Sequence, residues 1–303
     1  MASRDALRLP PLARRMRESV RRRAPAIDDF LIRLARPGRR LPVDGLERDE
    51  REAIAGLTRL SGGVTASPKA LDKAVVSAFR ALAEADLARR RRSPVVRKAV
   101  VDQFHRLYYH SRKRTWYNTY FLGVRVRKSP LDLWLYQEIL HDVRPDVLVE
   151  AGTKFGGSAY YFARLFDLLG HGEVVTIDTK PEPGLPEHPR ITYLTGSSTD
   201  PSIIERVDRM IAGRRVLVVL DSAHGRDHVL EELRLWSPRV AVGSYIVVED
   251  THADGHPITT RFGPGPRDAV ELFLAANDSF EIDASKHKFF FTWNRGGYLK
   301  RVS

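Results

Sequence analysis

From residue 146 onward the apolar positions of the 303-residue chain follow two alternating periods. Short β-branched runs, too short for helices, recur between longer segments whose apolar residues repeat at helical spacing. The pattern predicts strand 146–151, helix 158–169, strand 173–178, strand 191–194, helix 201–212, strand 216–221, helix 226–236 and strand 244–249. Helix 267–277 and strands 280–283 and 289–293 complete it. Strands alternating with helices imply right-handed crossovers and a parallel sheet, with ligands at the carboxyl ends of its strands. No helix separates the last two strands, so they should form a C-terminal hairpin with one strand antiparallel.

Upstream, Ser129-Pro130 leads into a helix over 131–141. Segment 101–130 is aromatic and basic: Phe104, Tyr108, Tyr109, Trp116, Tyr117, Tyr120 and Phe121 interleave with Arg and Lys. It reads as a lid packed over the core, with some aromatics, Tyr120 among them, facing substrate. Residues 1–100 read as a mostly helical extension, best defined at 70–90, where Arg89 to Arg92 suit a solvated helix C-terminus. The domain expected to carry chemistry is 101–303.

Charge sharpens that division. Residues 1–100 hold 24 Lys+Arg against 12 Asp+Glu, and the remainder holds 26 against 26, so the whole formal charge of +12 is N-terminal. A nucleic-acid-binding or RNA-modifying protein using this basic region is one alternative reading. Segment 101–130, however, has no RNP-type or helix-turn-helix pattern, and nucleic acid is not expected at the site. The absence of cysteine excludes disulfides, thiolate metal sites and cysteine nucleophiles, and suits a reducing, cytoplasmic setting. No apolar run reaches the ~18 residues of a membrane span. The N-terminal Arg-rich stretch resembles a transit peptide only weakly, because Pro10 and Pro11 interrupt the helix it would need.

The richest stretch is 146–161, DVLVEAGTKFGGSAYY: a strand ending near Glu150, then Gly152, Gly156 and Gly157, then a helix from Ser158. The glycines allow a sharp turn and close approach to a ligand. The spacing departs from the dinucleotide fingerprint, so the loop alone does not name its ligand. The next strand ends at Asp178, where an α/β nucleotide site holds ribose hydroxyls. Two further strands end in acids, at Asp221 and at Glu249-Asp250. Three carboxylates converging on one sheet edge suit a hard divalent cation, Mg²⁺ foremost, with Ca²⁺ or Mn²⁺ as alternatives. His224 follows Asp221 and His252 follows Asp250, each a candidate general base. His256 also follows Asp250 and, like His252, reads equally as a base or as a solvated loop histidine, whereas His228 reads as exposed.

These motifs carry a resemblance. GVRVRKSPLD, EAGTKFGGSA, TIDTK, LTGSSTDP, LDSAHGRDHVLEELRLWSP, GSYIVVEDTHADGHP, FGPGPRDAV and FFFTWNRGGYLKR, within Trp116 to Arg301, resemble the cephalosporin hydroxylase/rhamnosyl O-methyltransferase family of class I S-adenosylmethionine-dependent methyltransferases. The first hundred residues are not covered. The resemblance implies a Rossmann-like, seven-stranded, mostly parallel sheet with the antiparallel hairpin. It implies that Glu150, Gly152 and Ser158 line the methionine end of S-adenosylmethionine, that Asp178 binds the ribose, and that Ser197 and Ser198 lie near the adenine. Asp221, Glu249 and Asp250 match the metal-binding acids. The family often has Asp or Asn just before the histidine of the Asp221 motif; Ala223 stands here, which moves the base role to His224, with His252 as the other candidate. Lys128 and Asp132 would sit at the substrate rim.

The expectation is therefore a Mg²⁺-dependent O-methyltransferase acting on a hydroxyl of a sugar, glycosylated natural product or polysaccharide. A hydroxylase on the same fold is the alternative within the family, but an iron triad of two histidines and one acid matches the three strand-end acids poorly. A homo-oligomer is compatible with this reading.

Overall fold

The computed structural model describes residues 94–258 and 263–303. The basic extension, its helix at 70–90 and the arginine run at 89–92 lie outside the described residues. Residues 104–303 form one compact unit, to which the fold and site described below belong. Helix α1, Pro94–His110, runs through the boundary expected at residue 100. Two short 3₁₀ turns and a two-stranded hairpin follow, β1 Tyr120–Phe121 with β2 Val124–Arg125, and helix α2 spans Pro130–Val143.

The remaining elements are β3 Val147–Ala151, α3 Gly157–Leu169, β4 Glu173–Asp178, β5 Ile191–Thr195, α4 Pro201–Ile211, β6 Val216–Leu220, α5 Arg226–Trp236, β7 Tyr245–Val248, α6 Pro266–Leu274, β8 Phe280–Ile282 and β9 Tyr298–Arg301. Among the described residues seven strands form one sheet in the order β5-β4-β3-β6-β7-β9-β8. The first five in that order are parallel, and β9 runs antiparallel to both β7 and β8. This is the predicted Rossmann-like α/β sheet with an antiparallel C-terminal pair.

One strand differs from the sequence reading. The partner of β8 is 298–301, whereas 289–293 forms no strand. Its FFFTW run has strong β propensity, but Phe291 and Trp293 are buried against Tyr108, Tyr109 and Trp116, and the Trp293 carbonyl accepts the His252 amide at 3.0 Å. Tertiary burial of the aromatic side chains overrides the local preference. The aromatic segment thus packs against this loop, as a lid would.

Strand alternation assigns the two faces. Val147, Val149 and Ala151 of β3 join Val216, Val218 and Leu220 of β6 in a core with residues of α4, α5 and α6. Leu148, Val174, Leu217, Val219 and Val247 point the other way, onto Leu135, Tyr136 and Ile139 of α2 and Phe162 and Phe166 of α3. With both faces covered, the strands read as continuous apolar runs. Glu150 shares the parity of Leu148 and therefore enters the α2/α3 layer. Strand order reverses at β3, leaving a crevice at the carboxyl ends of β3 and β6, where such folds bind ligands. Among the described residues no helix is long and apolar enough to cross a membrane.

The glycine loop closes against its surroundings without side chains. A Cβ at Gly157, the first residue of α3, would overlap the carbonyl carbon and oxygen of Arg125, pressing helix on hairpin backbone to backbone. Gly157→Ala should therefore cost about 1–3 kcal/mol, because neither backbone can yield as a flexible side chain would. Urea unfolding monitored by tryptophan fluorescence measures it; a variant as stable as the parent would show the contact to be loose.

Candidate active site

At the centre of the carboxyl edge lies an ammonium group. Lys128 precedes α2 in an extended segment and is almost fully buried; its Nζ donates to Asp221 Oδ2 at 2.7 Å and to Glu249 Oε1 at 2.6 Å. Tyr136, two turns into α2, donates its hydroxyl to the same Glu249 oxygen at 2.5 Å. Burial alone would push the lysine pKa down, but Asp221, Glu249 and Glu150 outweigh it and the pKa is raised above the ordinary lysine value. Glu249 is raised well above a normal carboxyl, by burial and the nearby Asp221 charge against the opposing pull of Lys128.

Glu150 lies beside this cluster. It is fully buried; Oε2 accepts the Thr176 hydroxyl at 2.8 Å from the paired position on β4, whereas Oε1 has no hydrogen-bond partner. Burial lifts its pKa to about 7 against the opposing effects of Lys128, Ser158 and Thr176. A buried carboxylate oxygen without a donor is costly, and it fits a ligand ammonium. Around it, Gly152 has φ +107° and a Cβ there would overlap the Asp221 carbonyl, while Gly156 has φ +71° before α3. A small, open cleft lies here between the glycine loop and the segment 125–128. Its lining includes Gly152, Thr153, Phe155, Gly157, Ser158, Lys128 and Asp221.

A second group lies at the ends of β6 and β7. Ligating atoms of Asp221, His224 and Asp250 all fall within 4.8 Å of one another, and His224 Nε2 is 3.3 Å from Asp250 Oδ2. All three are partly exposed. Two carboxylates and an imidazole within that distance suit a divalent cation. Asp250 adopts φ +56°, and its amide donates to Asn294 Oδ1 at 3.1 Å, which fixes the turn that presents it.

The sequence-predicted residues divide accordingly. Gly152, Gly157, Ser158 and Asp221 line one cleft, whereas Glu150 and Gly156 are their chain neighbours and are not part of its lining. Asp178 accepts from the backbone amides of Lys154 at 2.8 Å and Lys180 at 2.9 Å. Ser197 pairs with Thr199 at 2.9 Å, and Ser198 is buried with its hydroxyl on Glu232.

Five expectations change. Glu249 does not join the group of Asp221, His224 and Asp250, because Lys128 and Tyr136 engage it. Lys128 is interior rather than at a rim. Asp132 is also interior: it accepts from Thr292, from the Trp293 amide at 3.0 Å and from the Tyr298 hydroxyl at 2.9 Å, and burial lifts its pKa to about 6. It ties α2 to the loop before β9. His252 is 2% exposed, with Nδ1 2.7 Å from His105 Nε2 and Nε2 3.6 Å from Asp250 Oδ1, so it does not face incoming substrate. Tyr120 is 53% exposed and accepts from Arg125 at 3.1 Å. His228, expected to be solvated, pairs instead with Ser222 at 3.2 Å and with Glu232. Sequence reasoning missed Tyr136 and His105; Tyr136 lies one helical turn beyond Asp132, a spacing that puts both on one face of α2.

With this geometry established, comparison with known proteins is informative. A model of the family described as rhamnosyl O-methyltransferase/CmcI matches residues 113–302. The chain belongs to this family. The rhamnosyl O-methyltransferase of Mycobacterium tuberculosis (strain ATCC 25618 / H37Rv) is 37% identical over 213 residues, which is 67% of this chain and 85% of that protein. The protein of the same name from Mycobacterium leprae (strain TN) is 34% identical over 211 residues, 67% of this chain and 91% of that one. Among solved structures, a CmcI structure titled with Mg-SAM aligns with TM-score 0.48 and 22% identity over 61% of this chain and 77% of its own. A structure of the MycE methyltransferase in complex with Mg, SAH and mycinamycin VI aligns with TM-score 0.34 and 23% identity, covering 38% and 33%.

The environment of His252 in this family member yields a titration test. Burial, aided by repulsion from His224, holds its pKa down to about 3, so the ring is neutral in the fold. The folded value lies below the ~6.5 of an unfolded histidine, so its stability contribution is complete above ~6.5 and is lost as pH falls from there toward 3. Glu150 and Asp132, with raised values, act on stability in the opposite sense over part of that window, so the ring itself is the cleaner reporter. The His252 imidazole resonances should not titrate between pH 8 and 5. A midpoint near 6.5 would contradict a buried, neutral ring.

Proposed function

We propose that this chain, an S-adenosylmethionine-dependent O-methyltransferase by family, methylates a hydroxyl of a sugar or glycosylated acceptor with the aid of a divalent cation, Mg²⁺ foremost. The observation that carries the reading is the presence, at one sheet edge, of a glycine-walled cleft that Asp221 helps to line, the buried Glu150 with its unpartnered Oε1, and the Asp221–His224–Asp250 group. The sugar acceptor is supported by the name of the mycobacterial relatives, rhamnosyl O-methyltransferase.

In this reading Glu150 accepts from the donor's α-ammonium, Gly152, Gly156, Gly157 and Ser158 shape the cleft around its methionine end, Asp178 accepts from the ribose hydroxyls, and Ser197 lies near the adenine. Asp221 and Asp250 hold the cation. When bound, the donor supplies an activated methyl group and the cation lowers the cost of deprotonating the acceptor hydroxyl. His224 accepts that proton at Nε2, and the adjacent Asp250 carboxylate stabilises the imidazolium that results. An O–CH₃ bond forms as the donor's S–CH₃ bond breaks, giving a methyl ether and S-adenosylhomocysteine. The chain contributes chiefly alignment and exclusion of water, since the donor is already reactive. In this reading the exposed ring of Tyr120 meets a face of the sugar. The hydroxylase alternative loses support, because the grouped side chains are two acids and one histidine, the reverse of an iron facial triad.

Asp221→Asn tests the assignment. It should lower Mg²⁺ affinity and reduce methyl transfer to a rhamnoside by roughly 100-fold or more, while S-adenosylhomocysteine affinity changes little. Calorimetry for each ligand and a product assay resolve these effects; unchanged Mg²⁺ binding together with unchanged turnover would remove Asp221 from the cation site.

A further inference from the structure

Helix α5 carries a buried carboxylate that belongs neither to the cleft lining nor to the cation group. Glu232 is fully buried, and its Oε1 accepts hydroxyl groups from two different loops: that of Ser198, after β5, and that of Ser222, after β6, the latter at 2.7 Å. His228, one turn earlier on α5, places Nε2 3.2 Å from the Ser222 hydroxyl and 3.5 Å from the same carboxylate oxygen. One turn later, the Trp236 indole N–H donates to the Ser198 carbonyl at 3.0 Å. Oε2 of Glu232 is buried and has no hydrogen-bond partner.

Packing does not account for a carboxylate here. An apolar side chain of the same length would fill the space without the desolvation penalty, and a half-satisfied carboxylate is costlier still. What the acid supplies is connection. Ser222 is the residue after Asp221, whose side chain belongs to the cation group and whose carbonyl abuts Gly152 of the glycine loop. Ser198 follows Ser197 in the loop assigned to the donor's adenine. Because both hydroxyls share one oxygen, a shift of either loop changes the hydrogen bond available to the other.

We propose that Glu232 is a positioning residue that couples the two halves of the site: donor bound at the β5 loop and cation bound at Asp221 each strengthen the binding of the other through this shared oxygen. The proposal rests on the donor and cation assignments of the proposed function and adds a coupling between them. Glu232 touches neither ligand and acts through Ser198 and Ser222. By linkage the two effects are equal: whatever factor the cation adds to donor affinity, the donor adds to cation affinity.

Calorimetry of the full chain tests it, titrating Mg²⁺ with and without S-adenosylhomocysteine, and S-adenosylhomocysteine with and without Mg²⁺. In the unaltered chain each ligand should tighten the other about 5-fold or more. Glu232→Met, which keeps the volume and removes the acceptor, should bring this factor to within about twofold of unity, whereas Glu232→Gln, which keeps an acceptor oxygen, should retain most of it. Ser222→Ala removes one of the two hydroxyls and should lose the coupling as Glu232→Met does, so the test stands even where the Met variant does not fold. Weakening of each ligand alone with an unchanged mutual factor is the signature of a merely structural role and overturns the proposal. So does outright loss of binding in Ser222→Ala, or a factor of unity in an unaltered chain that binds both ligands; each of these leaves the donor and cation assignments standing. Failure of the unaltered chain to bind S-adenosylhomocysteine or Mg²⁺ overturns the assignments as well.

Discussion

The ammonium group of Lys128 links a loop that precedes the sheet to the tips of two of its strands. Asp221 at the end of β6 and Glu249 at the end of β7 are both within 2.7 Å of its Nζ; the lysine and Glu249 are almost fully buried, and Asp221 is partly exposed. Removing one partner of the buried Lys128–Glu249 pair would cost about 3–5 kcal/mol, since the group left behind stays desolvated. The geometry of the carboxyl edge thus depends on this contact. It fixes where Asp221 stands relative to Gly152, it takes Glu249 into the interior with Tyr136, and it holds segment 125–128 over the glycine loop as one wall of the cleft.

From that constraint the division of labour along the edge follows. Strand alternation sends Glu150 into the α2/α3 layer, toward Lys128, with one oxygen lacking a hydrogen-bond partner. Asp250, one residue beyond Glu249, turns the opposite way through its positive φ and meets His224. One edge therefore holds two chemically different places: the cleft walled by the glycine loop, and the partly exposed group in which Asp221 and Asp250 suit a hard cation and His224 stands beside them. A transferase needs both, adjacent, so that the methyl carbon and the accepting oxygen meet in line.

Much of this was legible in the residues. Continuous apolar runs ending in acids predicted β3, β4, β6 and β7 and their common edge, and DVLVEAGTKFGGS predicted the cleft, because backbone period and glycine placement are local properties. Interior partnerships were less so. Lys128 and Asp132 are charged residues, which are usually exposed, and only the packing of α2 against the sheet reveals that each satisfies groups brought together from distant segments: Asp221 and Glu249 for one, Thr292, Trp293 and Tyr298 for the other. The same holds for His252, whose neighbour His105 is 147 positions away in the chain. The run at 289–293 misled because β propensity describes any half-buried aromatic surface, whether or not a neighbouring strand pairs with it.

The central claim is that this edge moves a methyl group from a sulfonium donor to a sugar oxygen with the help of a divalent cation. The most direct measurement is NMR of a reaction containing the full chain, methyl-¹³C S-adenosylmethionine, Mg²⁺ and a rhamnosyl glycoside. The account predicts a new O–¹³CH₃ resonance on the sugar that is abolished by chelator and restored by excess Mg²⁺. No labelled sugar ether despite a bound donor, or transfer that proceeds undiminished in chelator, would contradict it.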